Sequence, residues 1–219
     1  MSVNIEQYQQ ISRELATTNV TLVAVSKTKP IEDIEALYQL GQRDFGENYV
    51  QELIDKQSKL PNDIRWHFIG HLQSNKVKYI APFVHLIHGV DSLKLLKEID
   101  KQAAKNNRII DCLLQVHIAT EETKFGMDEQ ELNEALHQLH FFPNARVCGL
   151  MGMASFTEDQ EKVRSEFRSL HNIFKQSAIN HQPLAILSMG MSGDYSIAIE
   201  EGSTMVRIGS LLFGARVYQ

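Results

Sequence analysis

Eight short apolar runs recur along the chain, and most of them are followed by a stretch with helical periodicity. Their content of Val, Ile, Leu and Phe is typical of strands that are buried on both faces of a parallel sheet. The eight runs are TLVAVS (21–26), RDFGEN (43–48), RWHFIG (65–70), VHLIHGV (84–90), IDCLLQVHI (110–118), RVCGLMGM (146–153), LAILSM (184–189) and TMVRIG (204–209).

The segments between these runs carry signals that begin and end helices. Pro30, which two acidic residues follow closely, marks a first helical turn, and Gly41 ends that helix. Ser92 is placed to cap the helix that follows it, because its hydroxyl can accept a hydrogen bond from a free backbone amide. The pattern therefore predicts strands that alternate with helices along the whole chain.

Eight strands that alternate with helices fit either a doubly wound sheet or a (β/α)8 barrel. The number of strands favours the barrel, and an extra helix is expected near residues 3–16, before the first strand. No linker, low-complexity tract or block of charge divides the chain, so we predict a single domain over residues 1–219. In such a barrel the functional groups lie at the carboxyl ends of the strands.

Composition and charge exclude several classes of protein. The chain has 219 residues, and its 22 Lys and Arg against 27 Asp and Glu give a net charge of −5. A nucleic-acid partner is not expected without a basic excess. No membrane span is expected because no apolar run approaches about 20 residues, and the polar N-terminus does not resemble a signal peptide. Cys112 and Cys148 lie in apolar runs and are expected to be buried thiols, which favours a cytoplasmic location.

Lys27 directly follows the first predicted strand and is the strongest candidate for chemistry. In a barrel mouth, partial desolvation and neighbouring cations favour the neutral amine, which can attack a carbonyl group and form a Schiff base. Lys29 is expected to be an exposed neighbour. The strand ends carry no cluster of carboxylates, which argues against glycoside hydrolysis and against a cage for a divalent metal.

The segment 188–210 predicts an anion site at the ends of the seventh and eighth strands. Ser192 and Gly193 are expected to open a short helix, and Gly209 and Ser210 are expected to open another after the eighth strand. Exposed amides at helix starts, together with serine hydroxyls, can bind phosphate. Phosphate sites are frequent at this position in barrels of this class. The alternative is that the glycines only form turns.

Other candidates in the sequence have less support. Arg207 ends the eighth strand and either contributes to the phosphate site or pairs with a surface acid. A dinucleotide site is disfavoured because the nearest glycine pair, Gly190 and Gly193, lacks the G-x-G-x-x-G spacing and occurs late in the chain. His67 and His71 favour packing and polar lining over metal binding. Lys124 is either solvated or attracts phosphate.

The motifs VSKT (25–28), FGEN (45–48) and WHFIGHLQ (66–73), together with segment 188–210, resemble those of the pyridoxal phosphate homeostasis proteins. This family is also called the proline synthase co-transcribed homologues, and the match covers nearly the whole chain. The family is similar to the N-terminal barrel domain of alanine racemases. The resemblance therefore implies the same type of barrel, with pyridoxal 5′-phosphate (PLP) as the cofactor.

The resemblance also implies a role for each site residue. Lys27 would hold PLP as a Schiff base, and Arg207 would face the pyridine nitrogen. Two residues would line the pocket, Asn48 and His67, and three would hold the phosphate, Ser192, Gly209 and Ser210.

The resemblance further suggests what this chain does not do. Alanine racemases carry a second, β-rich domain with a tyrosine base, and this chain is expected to lack it. An arginine opposite the pyridine nitrogen also disfavours ring protonation and weakens PLP as an electron sink. We therefore predict a monomeric, non-catalytic PLP carrier that contacts apo PLP-dependent enzymes transiently. The alternatives are a PLP-dependent racemase or decarboxylase and a scaffold that binds a protein through its outer helices.

Overall fold

A computed structural model describes residues 3–119, 125–180 and 184–214, with the side chains of residues 178–180 left out. Its strands are β1 (Thr21–Val25), β2 (Asp44–Glu47), β3 (Arg65–Phe68), β4 (Leu86–Val90), β5 (Ile110–Gln115), β6 (Ala145–Met151), β7 (Ile186–Ser188) and β8 (Met205–Ile208). All eight are parallel, each pairs with the next along the chain, and β8 pairs with β1. The structure therefore confirms the predicted (β/α)8 barrel.

Helices surround this barrel on the outside. They are α1 (Ile5–Thr18), α2 (Ile31–Gln39), α3 (Val50–Gln57), α4 (Val77–Ile80), α5 (Leu93–Lys105), α6 (Glu129–His137), α7 (Gln160–Asn180), α8 (Tyr195–Glu200) and α9 (Ser210–Phe213), with short 3-10 helices at Ser74–Lys76 and Leu139–Phe141. The extra helix predicted before β1 is α1. Ser92 caps α5 as expected, since its Oγ accepts a hydrogen bond from the Leu95 amide at 3.3 Å.

The main apolar core lies between the strands and the helices, and a smaller cluster lies inside the barrel. The inner cluster contains Val23, Leu86, Leu113, Met151 and Met205. The barrel also contains buried polar side chains, which include histidine, serine and arginine. Within the described ranges, no helix combines the length and the apolar character needed to cross a membrane.

The two cysteines differ in burial. Cys112 is fully buried, as expected, and burial raises the pKa of its thiol well above the usual range. Cys148 is only half-buried, which corrects the prediction for this residue. The register between β5 and β6 shifts next to it, between Cys112 and Leu113, so Cys148 lies at an irregular position of the sheet.

Candidate cofactor site

A cavity of about 470 Å³ opens at the carboxyl ends of the strands. This volume suits a small organic ligand. The cavity contains six of the seven residues that the sequence singled out for cofactor binding. They are Lys27, Asn48, Ser192, Arg207, Gly209 and Ser210.

Lys27 lies two residues beyond the end of β1, on the cavity wall, and is half-buried. Two more cations, Lys29 and Arg207, line the same cavity, and the acid among its described lining residues is Asp194. Lys29 is not the exposed neighbour that we expected, because it is half-buried and its Nζ donates to the Phe213 carbonyl at 2.6 Å. The cavity is therefore rich in positive charge around the candidate amine.

A buried ion pair fixes the backbone just before Lys27. Glu47 is fully buried, and its Oε1 accepts hydrogen bonds from Ser26 Oγ at 2.6 Å and from Lys56 Nζ at 2.8 Å. Lys56 Nζ also donates to the Ser26 carbonyl at 2.8 Å. Burial raises the pKa of Glu47 to about 7, although Lys56 acts in the opposite direction. Ser26 is thus tied to Glu47 of β2 through its side chain and to Lys56 of α3 through its backbone.

The residue after Lys27 is held by the same helix. The Thr28 amide donates to Glu52 Oε1 at 2.6 Å, and this oxygen also accepts from Lys56 Nζ at 2.6 Å. Thr28 has a φ of 63°, a left-handed conformation that is uncommon for a β-branched residue. We did not predict these contacts, although Glu52 and Lys56 are four residues apart on a helix, where opposite charges pair.

Asn48 follows β2, and its side chain reaches the cavity. Its Oδ1 is buried and makes no hydrogen bond within the described part of the chain. Gly70 permits this arrangement, because a Cβ at that position would lie 2.4 Å from the Asn48 carbonyl oxygen. A buried, unpaired oxygen at a cavity wall is suited to accept a hydrogen bond from a ligand.

The predicted anion site consists of two loops that contact each other. Ser192 Oγ accepts a hydrogen bond from the Gly209 amide at 3.1 Å, which joins the loop after β7 to the end of β8. Helix α9 begins at Ser210, as predicted. The other predicted helix start was wrong, because α8 begins only at Tyr195, and Asp194 occupies the position before it.

Arg207 is buried at the floor of the cavity. One guanidinium nitrogen donates to Ser188 Oγ at 2.5 Å, and another donates to the Gly152 carbonyl at 3.1 Å. Burial lowers the pKa of Arg207 to about 10, although Asp194 acts in the opposite direction. The alternative in which Arg207 pairs with a surface acid is therefore wrong, since the hydrogen-bond partners described for it are neutral oxygens.

His67 lies elsewhere, which corrects the expectation that it lines the cofactor pocket. It is buried inside the barrel, where its Nε2 lies 3.0 Å from Asp44 Oδ1. Asp44 begins β2, so His67 points toward the amino ends of the strands. The ligand atoms of Asp44, His67 and His85 lie within 4.8 Å of one another, as metal ligands could. However, both Asp44 oxygens accept hydrogen bonds from Arg65, which makes this cluster an ion-paired network.

Two other candidates are not part of the cavity. His71 is exposed, and its Nδ1 lies 3.2 Å from Asp91 Oδ2, so it does not pack in the core. Its ring stacks on Phe125 at 4.4 Å. Lys124 lies outside the residues that the structure describes.

The fold and the cavity define a barrel of the alanine racemase N-terminal type. The chain matches the family described as "Alanine racemase, N-terminal domain" over residues 3–217. An alanine racemase from Bartonella henselae, solved with covalently bound pyridoxal phosphate, has the same fold with a TM-score of 0.70 and 17% identity. That likeness covers 99% of this chain and 62% of the racemase.

Other relatives define the family more narrowly. The pyridoxal phosphate homeostasis protein of Aquifex aeolicus is 45% identical over 199 residues, which is 90% of this chain and 87% of the relative. The structure of PipY from Synechococcus elongatus with PLP bound has a TM-score of 0.88 and 35% identity. It covers 95% of this chain and 99% of PipY. The chain therefore belongs to the family of pyridoxal phosphate homeostasis proteins.

Proposed function

We propose that this protein binds PLP reversibly in the cavity and takes part in PLP homeostasis as a carrier, not as an enzyme. The observation that carries the proposal is the meeting of Lys27, Arg207 and the Ser192–Gly209 contact in one cavity. The names of the relatives and the PLP-bound PipY structure support it.

Lys27 is the residue that would hold the cofactor covalently. PLP supplies an aldehyde to which an unprotonated amine attaches reversibly, and it supplies a phosphate dianion. Lys27 is half-buried and shares the cavity with the cations Lys29 and Arg207 and with the acid Asp194. Ser26 contacts Glu47 and Lys56, and Thr28 contacts Glu52, so the backbone is fixed on both sides of Lys27.

The loops after β7 and β8 would hold the phosphate. Ser192 and Ser210 contribute hydroxyl groups, and the space beside the Gly193 Cα is open, since a Cβ there would meet no atom within 4 Å. Hydrogen bonds to a charged phosphate are each worth about 1.5–3 kcal/mol. Asn48 Oδ1 fits the same ligand, because it can accept a hydrogen bond from a hydroxyl group on the ring.

Arg207 makes this site poorly suited to the chemistry of a racemase or decarboxylase. A guanidinium group only donates hydrogen bonds, so a ring nitrogen that faces it is favoured as an unprotonated acceptor. The ring then withdraws electrons weakly. In addition, the described lining of the cavity contains no His, Tyr or Cys side chain, and Asp194 is the carboxylate among its residues.

The phosphate assignment predicts a large difference between PLP and pyridoxal, which has the aldehyde without the phosphate. Loss of the charged hydrogen bonds should weaken binding at least ~100-fold, since ~2.7 kcal/mol corresponds to two decades. Titration of the purified protein with both aldehydes, followed by visible absorption, measures the difference. The double variant Ser192→Ala/Ser210→Ala should lose much of the preference but still react with pyridoxal. Equal affinity of the wild type for the two aldehydes would contradict the site.

The likeness to alanine racemase makes enzymatic activity the second candidate. The PLP-loaded protein should show no stereoselective turnover when it is incubated with a panel of L-amino acids and analysed by chiral chromatography. Turnover at an ordinary enzymatic rate, about 1 per second or faster, would overturn the carrier proposal.

The remaining parts of the proposal concern the protein in the cell. We propose that it is a cytoplasmic monomer that passes PLP to apo enzymes during transient contact. Sedimentation velocity should give a single monomeric species, and transfer should accelerate when an apo PLP-dependent enzyme is added to the loaded protein. A transfer rate that is set by the dissociation of PLP from this protein, and is therefore independent of the enzyme's concentration, would exclude direct contact.

A further inference from the structure

A continuous line of hydrogen bonds passes through the inside of the barrel, from the cavity to the opposite end. Arg207 donates to Ser188 Oγ at 2.5 Å, and this oxygen lies 3.1 Å from His88 Nδ1. His88 Nε2 lies 2.9 Å from His67 Nδ1, and His67 Nε2 lies 3.0 Å from Asp44 Oδ1. All five side chains belong to residues that are buried, and they come from five different strands.

With both histidines neutral, the two ends of this line determine the direction of every hydrogen bond in it. Arg207 can only donate, and ionised Asp44 can only accept. Burial alone would raise the pKa of Asp44, but hydrogen bonds from His67 and Arg65 outweigh it and lower the pKa to about 2. Asp44 is therefore ionised at neutral pH and accepts a hydrogen bond from His67 Nε2.

The tautomers of the two histidines follow from this end point. If a neutral His67 donates from Nε2, its Nδ1 accepts from Nε2 of His88. His88 Nδ1 then accepts from the Ser188 hydroxyl, whose oxygen accepts from Arg207. Both rings are neutral in this arrangement, and burial, which lowers the pKa of His88 well below its usual range, favours the neutral form there. Each inner member of the line donates one hydrogen bond and accepts one.

We propose that Ser188, His88, His67 and Asp44 form a positioning relay for Arg207, through which the carboxylate at the far end acts on the cofactor cavity. The guanidinium is buried with hydrogen bonds to two neutral oxygens, so the relay links it to a negative charge at the other end. Hydrogen bonds aligned in one direction polarise and strengthen one another. The relay fixes the orientation of the group that would face the ring of PLP, and in this respect it rests on the proposed function.

The direction of the relay can be tested without any ligand. Nitrogen-15 NMR of the apo protein, labelled at histidine, reports the tautomer and the charge of each ring at pH 7.5. The signals of the two relay histidines are assigned from their loss in His67→Gln and His88→Gln. We expect both rings to be neutral and protonated at Nε2. A doubly protonated ring, or protonation at Nδ1 in either residue, would overturn the relay.

A second ion pair in the barrel, that of Asp111, provides a matched control for the effect of Asp44 on the distant cavity. Arg65 and Asp44 form a two-bond ion pair at the amino ends of β2 and β3, with distances of 2.7 and 2.5 Å. Arg146 and Asp111 form the same kind of pair between β5 and β6, with distances of 2.6 and 2.9 Å. Both pairs join neighbouring strands at one end of the barrel, but only Asp44 is joined to Arg207 by the hydrogen bonds above.

The two aspartates should therefore differ in their effect on the cavity. We expect Asp44→Asn to weaken PLP binding about 2- to 30-fold, the range of measured couplings between distant sites, and to shift the absorption maximum of the bound cofactor. Asp111→Asn should change neither quantity. Ser188→Ala, which breaks the relay with little change in volume, should reproduce the effect if Asp44→Asn does not fold.

Two outcomes separate this inference from the proposed function. If the wild type binds PLP but Asp44→Asn or Ser188→Ala behaves like Asp111→Asn, the relay does not act on the cavity. If the wild type does not bind PLP at all, the proposed function fails, while the NMR measurement still decides whether the relay exists.

Discussion

Lys27 and Lys29 show how two neighbouring lysines of one cavity can differ in their chemistry. Both side chains line the cavity, but Lys29 Nζ donates to the Phe213 carbonyl at 2.6 Å, which anchors it to the end of α9. The backbone on both sides of Lys27 is held by the contacts of Ser26 and Thr28. The hydrogen bond of Lys29 suits a fixed positive charge, and in the proposed function Lys27 is the amine that reacts.

Substitution of each lysine tests this division. Lys27→Ala should abolish the PLP adduct that borohydride traps, and mass spectrometry of peptides from the treated protein detects it. The barrel should remain folded by circular dichroism, because a half-buried side chain at a strand end contributes little to the core. Lys29→Ala, the control, should retain the adduct and only weaken PLP binding. Full occupancy of an adduct in Lys27→Ala would identify another attachment site, such as Lys124.

The loop after β3 must pass close to the end of β2 for the cavity to form. An added Cβ at Gly70 would lie 2.4 Å from the Asn48 carbonyl oxygen and 2.8 Å from its Cα. Backbone atoms cannot yield as the end of a flexible side chain can, so the two strand ends would have to separate. This contact explains the glycine within the WHFIGHLQ motif.

Gly70→Ala should therefore destabilise the protein and displace Asn48 from the cavity. Overpacking of this kind costs about 1–3 kcal/mol, which urea unfolding would detect, and PLP binding should weaken in parallel. Gly193→Ala is the control for stability, because a Cβ there meets no atom within 4 Å. A Gly70→Ala variant as stable as Gly193→Ala would show that the strand ends can move apart freely.

The sequence predicted the elements of this fold better than it predicted the contacts between them. The eight strands were found because a parallel sheet leaves apolar runs in the chain, and Lys27 and Arg207 were found because strand ends can be located. His67 was misplaced because alternation along a strand separates inside from outside but does not say which end of the barrel an inward side chain reaches. Its partner His88 comes from the next strand, 21 residues further along the chain.

The buried ion pair behind Lys27 was missed for a related reason. Glu47 belongs to the FGEN motif, and its partner Lys56 lies nine residues away on α3. A charged residue inside a buried strand requires a partner, but local patterns in the sequence do not identify it. Contacts of this kind depend on how a helix is placed against the sheet, which only the folded structure shows.

The two ends of the barrel carry different functions in the whole molecule. Lys27, Asn48 and the phosphate loops lie at the carboxyl ends of the strands, as binding sites do in barrels of this class. The ion pairs of Asp44 and Asp111 lie at the opposite end, where residues commonly serve stability. If the relay acts as proposed, Asp44 contributes both to cofactor binding and to stability. Its contribution to stability can be measured separately.

Asp44 should make the stability of the whole barrel sensitive to acid. Its pKa is lowered from 3.8 to about 2 in the folded protein, so its contribution is fully present above the unfolded value. As the pH falls toward the folded value, up to about 2 kcal/mol of the free energy of unfolding is lost. Asn cannot titrate, so Asp44→Asn should be less stable at pH 6 but should lose about 1 kcal/mol less than the wild type between pH 6 and pH 3. Urea unfolding at both pH values, followed by the fluorescence of the single tryptophan, Trp66, measures this difference. Equal losses in the two proteins would mean that the carboxyl of Asp44 titrates alike in the folded and unfolded states, and that its hydrogen bonds with His67 and Arg65 contribute no net stability.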